Sequence, residues 1–326
     1  MVSVAENGGI RRKVQTRTLA DLPAGEVIIA VDYSSLNYKD ALSANGNHGV
    51  TRRYPHTPGI DAVGRVVSST VDDFQAGDQV LCMGYDLGMN TAGGFGGYIS
   101  VPADWVMMLP SSILPIEAMQ IGTAGFTAAQ CVDRLLGLGL KKDDGPVLVT
   151  GATGGVGSLA VRLLSFLGFE VVAVTGKAEQ RVFLEDIGAT QVLERKKFLR
   201  GRNKMLLRER WAAVVDTVGG DILATAIKAT RYNGIVTCCG NAASAELSVN
   251  VYPFILRGVT LAGIDSALCP MAQRKRIWEK LASVWRFPGL DKVSRTVTLE
   301  RLEEEIIRML AGKAHGRVVV DLRGEK

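Results

Sequence analysis

The sequence contains few of the residues that form metal centres and disulfide frameworks. Its 326 residues include 5 cysteines and 3 histidines. The cysteines are odd in number and show no C-x-x-C spacing, which predicts reduced thiols in a reducing compartment. The histidines are too scattered to indicate a metal cluster, so we expect no metal ion. The residues concerned are Cys82, Cys131, Cys238, Cys239, Cys269, His48, His56 and His315.

Long apolar runs and a strong charge asymmetry are also missing. No uninterrupted apolar stretch reaches the ~18 residues of a membrane span, and the first residues show no signal-peptide pattern. We therefore expect a cytoplasmic protein with no membrane partner. The net charge is +5, and the one basic run is Arg195–Lys204. Because no aromatic stacking pattern accompanies this run, we expect a solvated helix face there and no nucleic-acid partner.

A glycine-rich turn between a strand and a helix is the most informative stretch that is present. Val147–Thr150 is predicted to be a buried strand, and Gly151–Gly157 a turn that reads Gly-Ala-Thr-Gly-Gly-Val-Gly. A helix is predicted over Ser158–Leu167 and a second strand over Phe169–Thr175. Glycines in such a turn let backbone N–H groups approach a pyrophosphate at the positive end of the helix. This context favours a dinucleotide site, and the alternative is a tight turn without a ligand.

Two kinds of periodicity divide the chain. The first part has many short strands with frequent turns, among them predicted strands at Val14–Thr18 and Glu26–Tyr33, which is typical of a β-rich barrel-like module. Strands and helices then alternate over about 120 residues, with one helix predicted at Arg200–Arg210. A tail ending in a strand at Gly316–Leu322 is expected to return to the first module. The predicted fold class is α/β, with a doubly wound parallel (Rossmann) sheet inserted into a β-rich domain.

The end of the second strand predicts which nicotinamide cofactor is used. An NAD site would place an Asp or Glu there to bind the ribose 2′-hydroxyl. This chain instead has Thr175, Gly176 and Lys177, and Arg195 follows the next strand. A hydroxyl and cationic groups suit a 2′-phosphate, so we expect NADPH rather than NADH. The alternative for Lys177 is a surface lysine at a helix start.

Several segments resemble the medium-chain dehydrogenase/reductase superfamily over essentially the whole chain. They are 58–64 (Pro-Gly-Ile-Asp-Ala-Val-Gly), 77–80 (Gly-Asp-Gln-Val), 122–128 (Gly-Thr-Ala-Gly-Phe-Thr-Ala) and 152–157 (Ala-Thr-Gly-Gly-Val-Gly). In zinc-dependent members the first of these carries Gly-His-Glu, and the histidine binds the metal. Here Ile60 replaces that histidine, and isoleucine cannot bind zinc. The resemblance therefore places the chain in the zinc-free, quinone-oxidoreductase-like branch.

Within this branch, segments 34–42, 121–128, 216–219 and 253–257 resemble the bacterial acrylyl-CoA reductase group. That resemblance implies NADPH-dependent reduction of the C=C bond of acrylyl-CoA to propionyl-CoA, by hydride transfer to the β-carbon. It implies Asn37 and Asp40 as catalytic residues, with Tyr38 beside the nicotinamide as a proton source. The residues themselves leave alternatives open: a helix cap for Asn37, a first-turn helix acid for Asp40 and a surface aromatic for Tyr38. Two other functions also stay open, a quinone or enone reductase of the same fold and a non-catalytic NADPH-binding protein.

The resemblance further implies domain bounds, an assembly and a cofactor site. We expect a GroES-like catalytic domain at 1–118 and 290–326, and a Rossmann dinucleotide-binding domain at 119–289. The strand Thr260–Gly263 is expected to pair with its copy in a homodimer. The expected partner is a small-molecule acyl-CoA substrate. The predicted cofactor-binding residues are Thr127, Gly154, Gly155, Val156, Gly157, Thr175, Gly176, Lys177, Arg195, Asp216, Val218, Cys239, Gly240 and Phe254.

Overall fold

The computed structural model describes residues 1–6 and 9–324 of the chain. Among these residues the strands are β1 (Val2–Glu6), β2 (Gly9–Lys13), β3 (Val27–Leu36), β4 (Asp61–Ser69), β5 (Gln79–Met83), β6 (Tyr98–Val101), β7 (Val106–Met108), β8 (Val147–Thr150), β9 (Val171–Thr175), β10 (Gln191–Glu194), β11 (Trp211–Asp216), β12 (Thr230–Cys238), β13 (Thr260–Gly263), β14 (Ser294–Thr298) and β15 (Arg317–Asp321). The α-helices are α1 (Tyr38–Ala44), α2 (Pro115–Gly137), α3 (Gly155–Phe166), α4 (Arg181–Asp186), α5 (Arg195–Phe198), α6 (Gly220–Lys228), α7 (Tyr252–Arg257), α8 (Met271–Ala282), α9 (Leu290–Val293) and α10 (Leu302–Leu310).

The chain forms two compact units, and the first is built from three separate segments. These are residues 1–123, 267–283 and 293 onward, as far as they are described. The main sheet of this unit runs β14-β15-β3-β4-β5-β7, with β6 also paired to β3. β15 pairs antiparallel with β3, and Val318 lies opposite Leu36. The tail therefore returns to the first module as predicted, and this register brings Arg317 level with Asn37.

The second unit contains residues 124–266 and 284–292 and holds the Rossmann sheet. Its strands run in the order β10-β9-β8-β11-β12-β13, and every neighbouring pair is parallel. All residues of β8, β9 and β11 are buried, as expected for strands with both faces covered. This order confirms the predicted doubly wound parallel sheet. The predicted domain bounds at 118/119 and 289/290 stay a prediction.

Each unit has its own apolar core. In the first unit, side chains from β3 and β15 pack with Phe95 and Leu302. In the second, Trp211, Phe198 and Leu148 belong to one cluster that lies among the strands and α6. Burial of these apolar side chains stabilises each unit, at about 25 cal/mol per Å² of apolar area removed from water.

Two local predictions are wrong. Val14–Thr18 is not a strand, because β2 ends at Lys13 and the five residues that follow are all exposed and outside the sheets. Alternation and β-propensity predicted a strand there, but a strand also needs a neighbour with which to pair. Arg200–Arg210 is not a helix: α5 ends at Phe198 and the chain continues through turns, with Gly201 at φ +77°.

Within the described ranges, 1–6 and 9–324, none of the helices has both the length and the apolar character needed to cross a membrane.

Candidate functional site

Segments far apart in the sequence meet in one polar cluster of the first unit. The cluster consists of Ser35 in β3, Asn37 before α1, Asp61 at the start of β4, Thr123 in α2 and Arg317 at the start of β15. β3 pairs with both β4 and β15 and therefore lies between these two strands. We call these five residues the Asp61–Arg317 cluster.

Asp61 is the acceptor at the centre of the cluster. Its carboxylate is fully buried. Oδ2 accepts hydrogen bonds from the Ser35 hydroxyl, from Nδ2 of Asn37 at 2.8 Å and from the backbone N–H of Thr123 at 3.0 Å. Oδ1 accepts one from the Thr123 hydroxyl. A buried carboxylate needs such partners because removing it from water is costly.

Arg317 is the buried cation opposite Asp61. It is 2% exposed, and Nη2 lies 3.7 Å from Oδ2 of Asp61. Nη2 also donates to the Ser35 hydroxyl at 2.7 Å, and Nη1 donates to the carbonyl of Leu36 at 3.3 Å. Burial lowers the pKa of Arg317, while the charges of Asp61 and Asp40 raise it. The ion pair is thus surrounded by hydrogen bonds that orient both charged groups.

Asn37 connects the two charged residues through its amide. It is half-buried and is the N-cap residue of α1, as the capping alternative predicts. Its Nδ2 donates to Oδ2 of Asp61 at 2.8 Å and to the carbonyl of Ser35 at 3.3 Å. Its Oδ1 accepts a hydrogen bond from Nη1 of Arg317 at 3.0 Å. The structure therefore gives Asn37 partners well beyond its own helix.

Asp40 and Tyr38 lie on the first turn of α1 but differ sharply in exposure. Tyr38 is 49% exposed, whereas Asp40 is fully buried. The Asp40 carboxylate accepts hydrogen bonds from the backbone N–H groups of Asn37 at 2.8 Å, Ile60 at 2.8 Å and Gly59 at 3.1 Å. Burial and the nearby charge of Asp61 raise the pKa of Asp40 to about 7, although the hydrogen bonds oppose the shift. Asp40 therefore ties α1 to the loop before β4.

Gly122 leaves the space in which the cluster is packed. Its backbone adopts φ +50° and ψ −161° inside α2, so the helix is kinked at this residue. A Cβ atom here would lie 2.6 Å from Nη2 of Arg317, and 2.7 Å from Oδ2 of Asp61 and from Oγ of Ser35. Both the dihedral angle and the space require glycine. The segment 122–128 was singled out in the sequence, but the polar cluster beside it was not predicted.

The residues of this region do not fit a zinc ion. Among the residues that the structure describes, no group of three or more His, Cys, Asp and Glu side chains could hold a metal. Ile60 has a hydrocarbon side chain, and both carboxylate oxygens of Asp61 already accept hydrogen bonds. The donor set therefore offers no zinc coordination.

The glycine-rich turn of the second unit has the geometry of an anion site. β8 leads through the turn into α3, with Gly154 at the N-cap position. Gly155, Val156 and Gly157 form the first helical turn, where backbone N–H groups have no carbonyl partner within the helix. A Cβ at Gly157 would lie 2.3 Å from the carbonyl oxygen of Gly151, so the helix packs tightly against the turn. These N–H groups and the helix dipole favour a bound phosphate.

The end of β9 brings together the residues predicted to select the cofactor. The guanidinium of Arg195 lies directly over Gly176. A Cβ atom at Gly176 would lie only 2.9 Å from Cζ of Arg195. Lys177 is half-buried, and burial lowers its pKa. The hydroxyl of Thr175 is buried and accepts the backbone N–H of Lys177 at 2.9 Å, so it shapes the turn. Two cationic residues thus converge where β9 ends.

The remaining predicted cofactor residues lie in three places in the second unit. Asp216, at the end of β11, is buried and accepts hydrogen bonds from the Thr150 hydroxyl at 2.6 Å and the Gly219 N–H at 2.8 Å. Burial raises its pKa. Its backbone carbonyl accepts the N–H of Cys239 at 3.0 Å, so the ends of β11 and β12 are joined here. Nearby in sequence are Val218 and Gly240, whereas Thr127 lies in α2 and Phe254 in α7.

Sequence reasoning missed Arg317 and the role of Asp61. Arg317 had one weak signal, a charged residue directly before three valines in a predicted strand. Its significance depends on the pairing of β15 with β3, which joins residues about 280 positions apart. Asp61 was considered only as the neighbour of Ile60. Ser35 and Gly122 lay inside quoted motifs, but their contact with each other could not be inferred from spacing.

Comparison with protein families matches most of the chain. Residues 23–111 match the alcohol dehydrogenase GroES-like domain, and residues 155–283 match the family described as zinc-binding dehydrogenase. The chain is 44% identical over 310 residues to the putative quinone oxidoreductase YhfP of Bacillus subtilis, covering 95% of this chain and 94% of that protein. It is 43% identical over 317 residues to the acrylyl-CoA reductase AcuI of Ruegeria pomeroyi, covering 97% and 96%.

Solved structures with the same architecture include cofactor complexes. The yhdH oxidoreductase from Salmonella enterica in complex with NADP has a TM-score of 0.95 to this chain, at 38% identity over 99% of both chains. The Bacillus subtilis protein yhfP with NAD bound also has a TM-score of 0.95, at 42% identity over 98% of both chains.

Proposed function

This chain belongs to the medium-chain dehydrogenase/reductase family, and we propose that it is an NADPH-dependent reductase that converts acrylyl-CoA to propionyl-CoA. The family's two domains then correspond to 1–118 with 290–326 and to 119–289. A cytoplasmic location and a homodimeric assembly are part of the same proposal. One matched family is described as zinc-binding, but the residues that the structure describes do not fit zinc. We accordingly propose a reaction that needs no metal.

One observation carries the choice of NADPH. The guanidinium of Arg195 lies over Gly176 beside Lys177, at the carboxyl end of β9. In a Rossmann sheet this is where the ribose next to the adenine is bound. Cationic groups there form charge-assisted hydrogen bonds with a 2′-phosphate, which NADH lacks. The backbone N–H groups of Gly155–Gly157 are proposed to bind the pyrophosphate.

The groups proposed to act on the substrate lie at the start of α1. Bound NADPH supplies a hydride to the β-carbon; with one proton added to the α-carbon, the enoyl thioester becomes saturated and NADP⁺ is released. Asn37 is proposed to orient a polar group at the reacting centre. The hydroxyl of Tyr38, a residue that is half-exposed, is proposed as the proton source. Asp40 is fully buried, so we assign it a positioning role: it holds the backbone N–H groups of Asn37 and Ile60.

The acyl-CoA substrate is favoured by the relative named acrylyl-CoA reductase, at 43% identity over 97% of this chain. A quinone or enone reductase is the alternative, because the relative at 44% identity is named a putative quinone oxidoreductase. A non-catalytic NADPH-binding protein is the third possibility, and turnover of any activated alkene excludes it.

A side-by-side substrate panel tests the proposal. NADPH oxidation is followed with acrylyl-CoA, a simple quinone and a medium-chain enone, and each is repeated with NADH. We expect the highest kcat/KM with acrylyl-CoA and NADPH. A preference for the quinone or enone of more than tenfold would overturn the substrate assignment.

Two variants test the site in the same assay. Asn37→Ala should lower turnover by about 10²-fold, the usual effect of losing one polar group at a reacting centre. We expect a loss of similar size in Asp40→Ala, because the backbone N–H groups of Asn37 and Ile60 lose the carboxylate that holds them. Asn45→Ala, at the other end of α1, is the matched control. Because Asp40→Ala could also unfold the first unit, its thermal midpoint is measured alongside. Near wild-type turnover in both variants contradicts the assignment.

A further inference from the structure

We propose that Asn37 acts as a hydrogen-bond acceptor through Oδ1, and that Asp61 and Arg317 are positioning residues that hold its amide in this orientation. The inference rests on the proposed function, because it assigns Asn37 its part in that reaction. It starts from the observation that the two ends of one amide contact buried groups of opposite charge.

The neighbours of the amide determine which end is nitrogen. The groups at 2.8 and 3.3 Å from Nδ2 are the carboxylate of Asp61 and the carbonyl of Ser35, and both are acceptors. The group at 3.0 Å from Oδ1 is the guanidinium of Arg317, which has donors only. A flipped amide would place N–H against N–H at one end and oxygen against oxygen at the other. The orientation therefore follows from hydrogen-bond chemistry.

The Asn37 amide has one hydrogen-bonding position that the cluster does not use and that a reactant could occupy. The amide has two N–H groups, and both are donated within the cluster. Its Oδ1 can accept two hydrogen bonds, of which Arg317 supplies one. The remaining capacity is one acceptor position on Oδ1. Asn37 therefore cannot donate to a substrate carbonyl while the cluster is intact, but it can accept from an O–H group, either water or a hydroxyl of a bound reactant.

The cluster is built to hold this arrangement. Asp61 is fully buried and Arg317 is 2% exposed, so both charges act in a low-dielectric surrounding where their fields on the amide are strong. Each also has hydrogen bonds outside the amide: Asp61 with Thr123, and Arg317 with Ser35 and the carbonyl of Leu36. The missing side chain at Gly122 leaves room for these groups to meet.

Exchanging the side chains of Asn37 and Asp61 tests whether Oδ1 of Asn37 acts as the acceptor. Asn37→Asp alone places two carboxylates side by side, and Asp61→Asn alone places an amide against an amide. The double variant N37D/D61N restores a donor at 61 and an acceptor at 37 that still faces Arg317. We expect each single variant to lose about 10²-fold in kcat, and the double variant to recover at least tenfold over either one. A double variant no better than Asn37→Ala would show that the amide donor is needed, which overturns the inference.

The positioning role of Arg317 is tested separately, by comparing the change in kcat with the change in KM. A merely structural role would not change kcat alone. Arg317→Gln should lower kcat at least tenfold while KM changes less than threefold. Arg317→Lys should fall between Arg317→Gln and the wild type, because lysine keeps the charge but not the planar fork. Arg12→Gln, which breaks the Arg12–Glu303 ion pair of the same unit, is the matched control and should keep kcat. Equal loss of kcat in Arg12→Gln and Arg317→Gln would overturn the positioning role.

Two further measurements identify the O–H group and separate this inference from the proposed function. A solvent deuterium isotope effect on kcat that changes in N37D/D61N indicates water, whereas a changed affinity for NADPH in fluorescence titration indicates a reactant hydroxyl. If neither the isotope effect nor the affinity for NADPH changes in any variant, the acceptor role is overturned. If no activated alkene is reduced by the wild type, both proposals fall. If one is reduced but the exchange does not recover turnover, only this inference falls.

Discussion

Asp40 combines complete burial with hydrogen bonds from backbone N–H groups, and these two features act on its titration in opposite directions. Burial and the charge of Asp61 raise its pKa to about 7. Between the ordinary value of 3.8 and about 7, the native state keeps a proton that the unfolded chain has lost. Stability linked to this group is therefore present at low pH and is lost as the pH rises through about 7.

Asp40→Asn should remove this pH dependence. We expect the free energy of unfolding of the wild type, relative to Asp40→Asn, to fall between pH 5 and pH 8, with a slope of at most about 1.4 kcal/mol per pH unit. The measurement is urea denaturation of both proteins across this range. Asp72→Asn, at an exposed position, is the control and should leave the slope unchanged. A constant difference between wild type and Asp40→Asn contradicts the prediction.

Lys177 and Arg195 are expected to determine the preference for NADPH. Loss of one charged hydrogen-bond partner typically costs about 1.5–3 kcal/mol, so Lys177→Ala and Arg195→Ala should each lower kcat/KM for NADPH by about 10- to 100-fold. The values for NADH should stay within about twofold. Lys196→Ala, one position from Arg195 and also exposed, is the matched control. If the ratio of NADPH to NADH efficiency does not change in either variant, the residue assignment is wrong.

Zinc content follows from the side chain at position 60. Ile60 offers no ligand atom, and Asp61 is held by hydrogen bonds within the cluster. Active protein should therefore contain far less than one zinc per chain in elemental analysis, and a chelator should leave turnover unchanged. Stoichiometric zinc in active protein would contradict this prediction.

At the scale of the elements, the kink of α2 is expected to be indispensable. Gly122→Ala would add a Cβ within 2.7 Å of Arg317, Asp61 and Ser35, at a φ of +50° that alanine disfavours. We expect a loss of about 2–4 kcal/mol in unfolding free energy, because overpacking and backbone strain act together. The midpoint of denaturant unfolding measures this loss.

Gly137→Ala provides the control within the same helix. A Cβ at Gly137 meets nothing within 4 Å, so this substitution should be neutral or slightly stabilising. Equal stability of the two variants would show that the kink tolerates a side chain.

Some elements of the fold could be predicted from the sequence and others could not. The βαβ unit around Gly151–Gly157 was predicted well, because its strands are uniformly apolar and its glycines have a local cause. The strand at Val14–Thr18 was wrong because pairing partners are not visible in a local pattern. Likewise, Asn37 was predicted from its segment, but its partner Arg317 was not, since their contact depends on the register of β15 against β3. Elements with a local sequence pattern could be predicted, whereas contacts between residues distant in the sequence could be identified only from the folded structure.

For the whole molecule, the open edge of β13 predicts a homodimer. β13 is the last strand of the parallel sheet, and Leu261 on it is 36% exposed. The preceding helix α7 exposes Ile255 at 68% and Leu256 at 58%. An apolar strand edge of this kind favours aggregation unless a partner covers it. Light scattering at micromolar concentration should therefore give twice the mass of one chain.

Charged substitutions on β13 and on the preceding helix α7 should separate the copies. We expect Leu261→Glu and Ile255→Glu to give the mass of one chain, since a buried unpaired carboxylate opposes association. Ile307→Glu, which is 53% exposed on α10, serves as control and should leave the mass unchanged. A wild-type protein with the mass of one chain contradicts the dimer.

The returning tail also implies an order of events on the ribosome. Asp61 and β3 are synthesised early, whereas Arg317 and β15 follow about 250 residues later, a delay of roughly ten seconds to a minute at typical translation rates. During this delay the second unit, whose residues end at 292, can complete its own sheet. A nascent chain stalled before Arg317 should therefore expose the edge of β3 at Tyr33–Leu36 and a carboxylate that lacks its arginine, which makes it a substrate for chaperones.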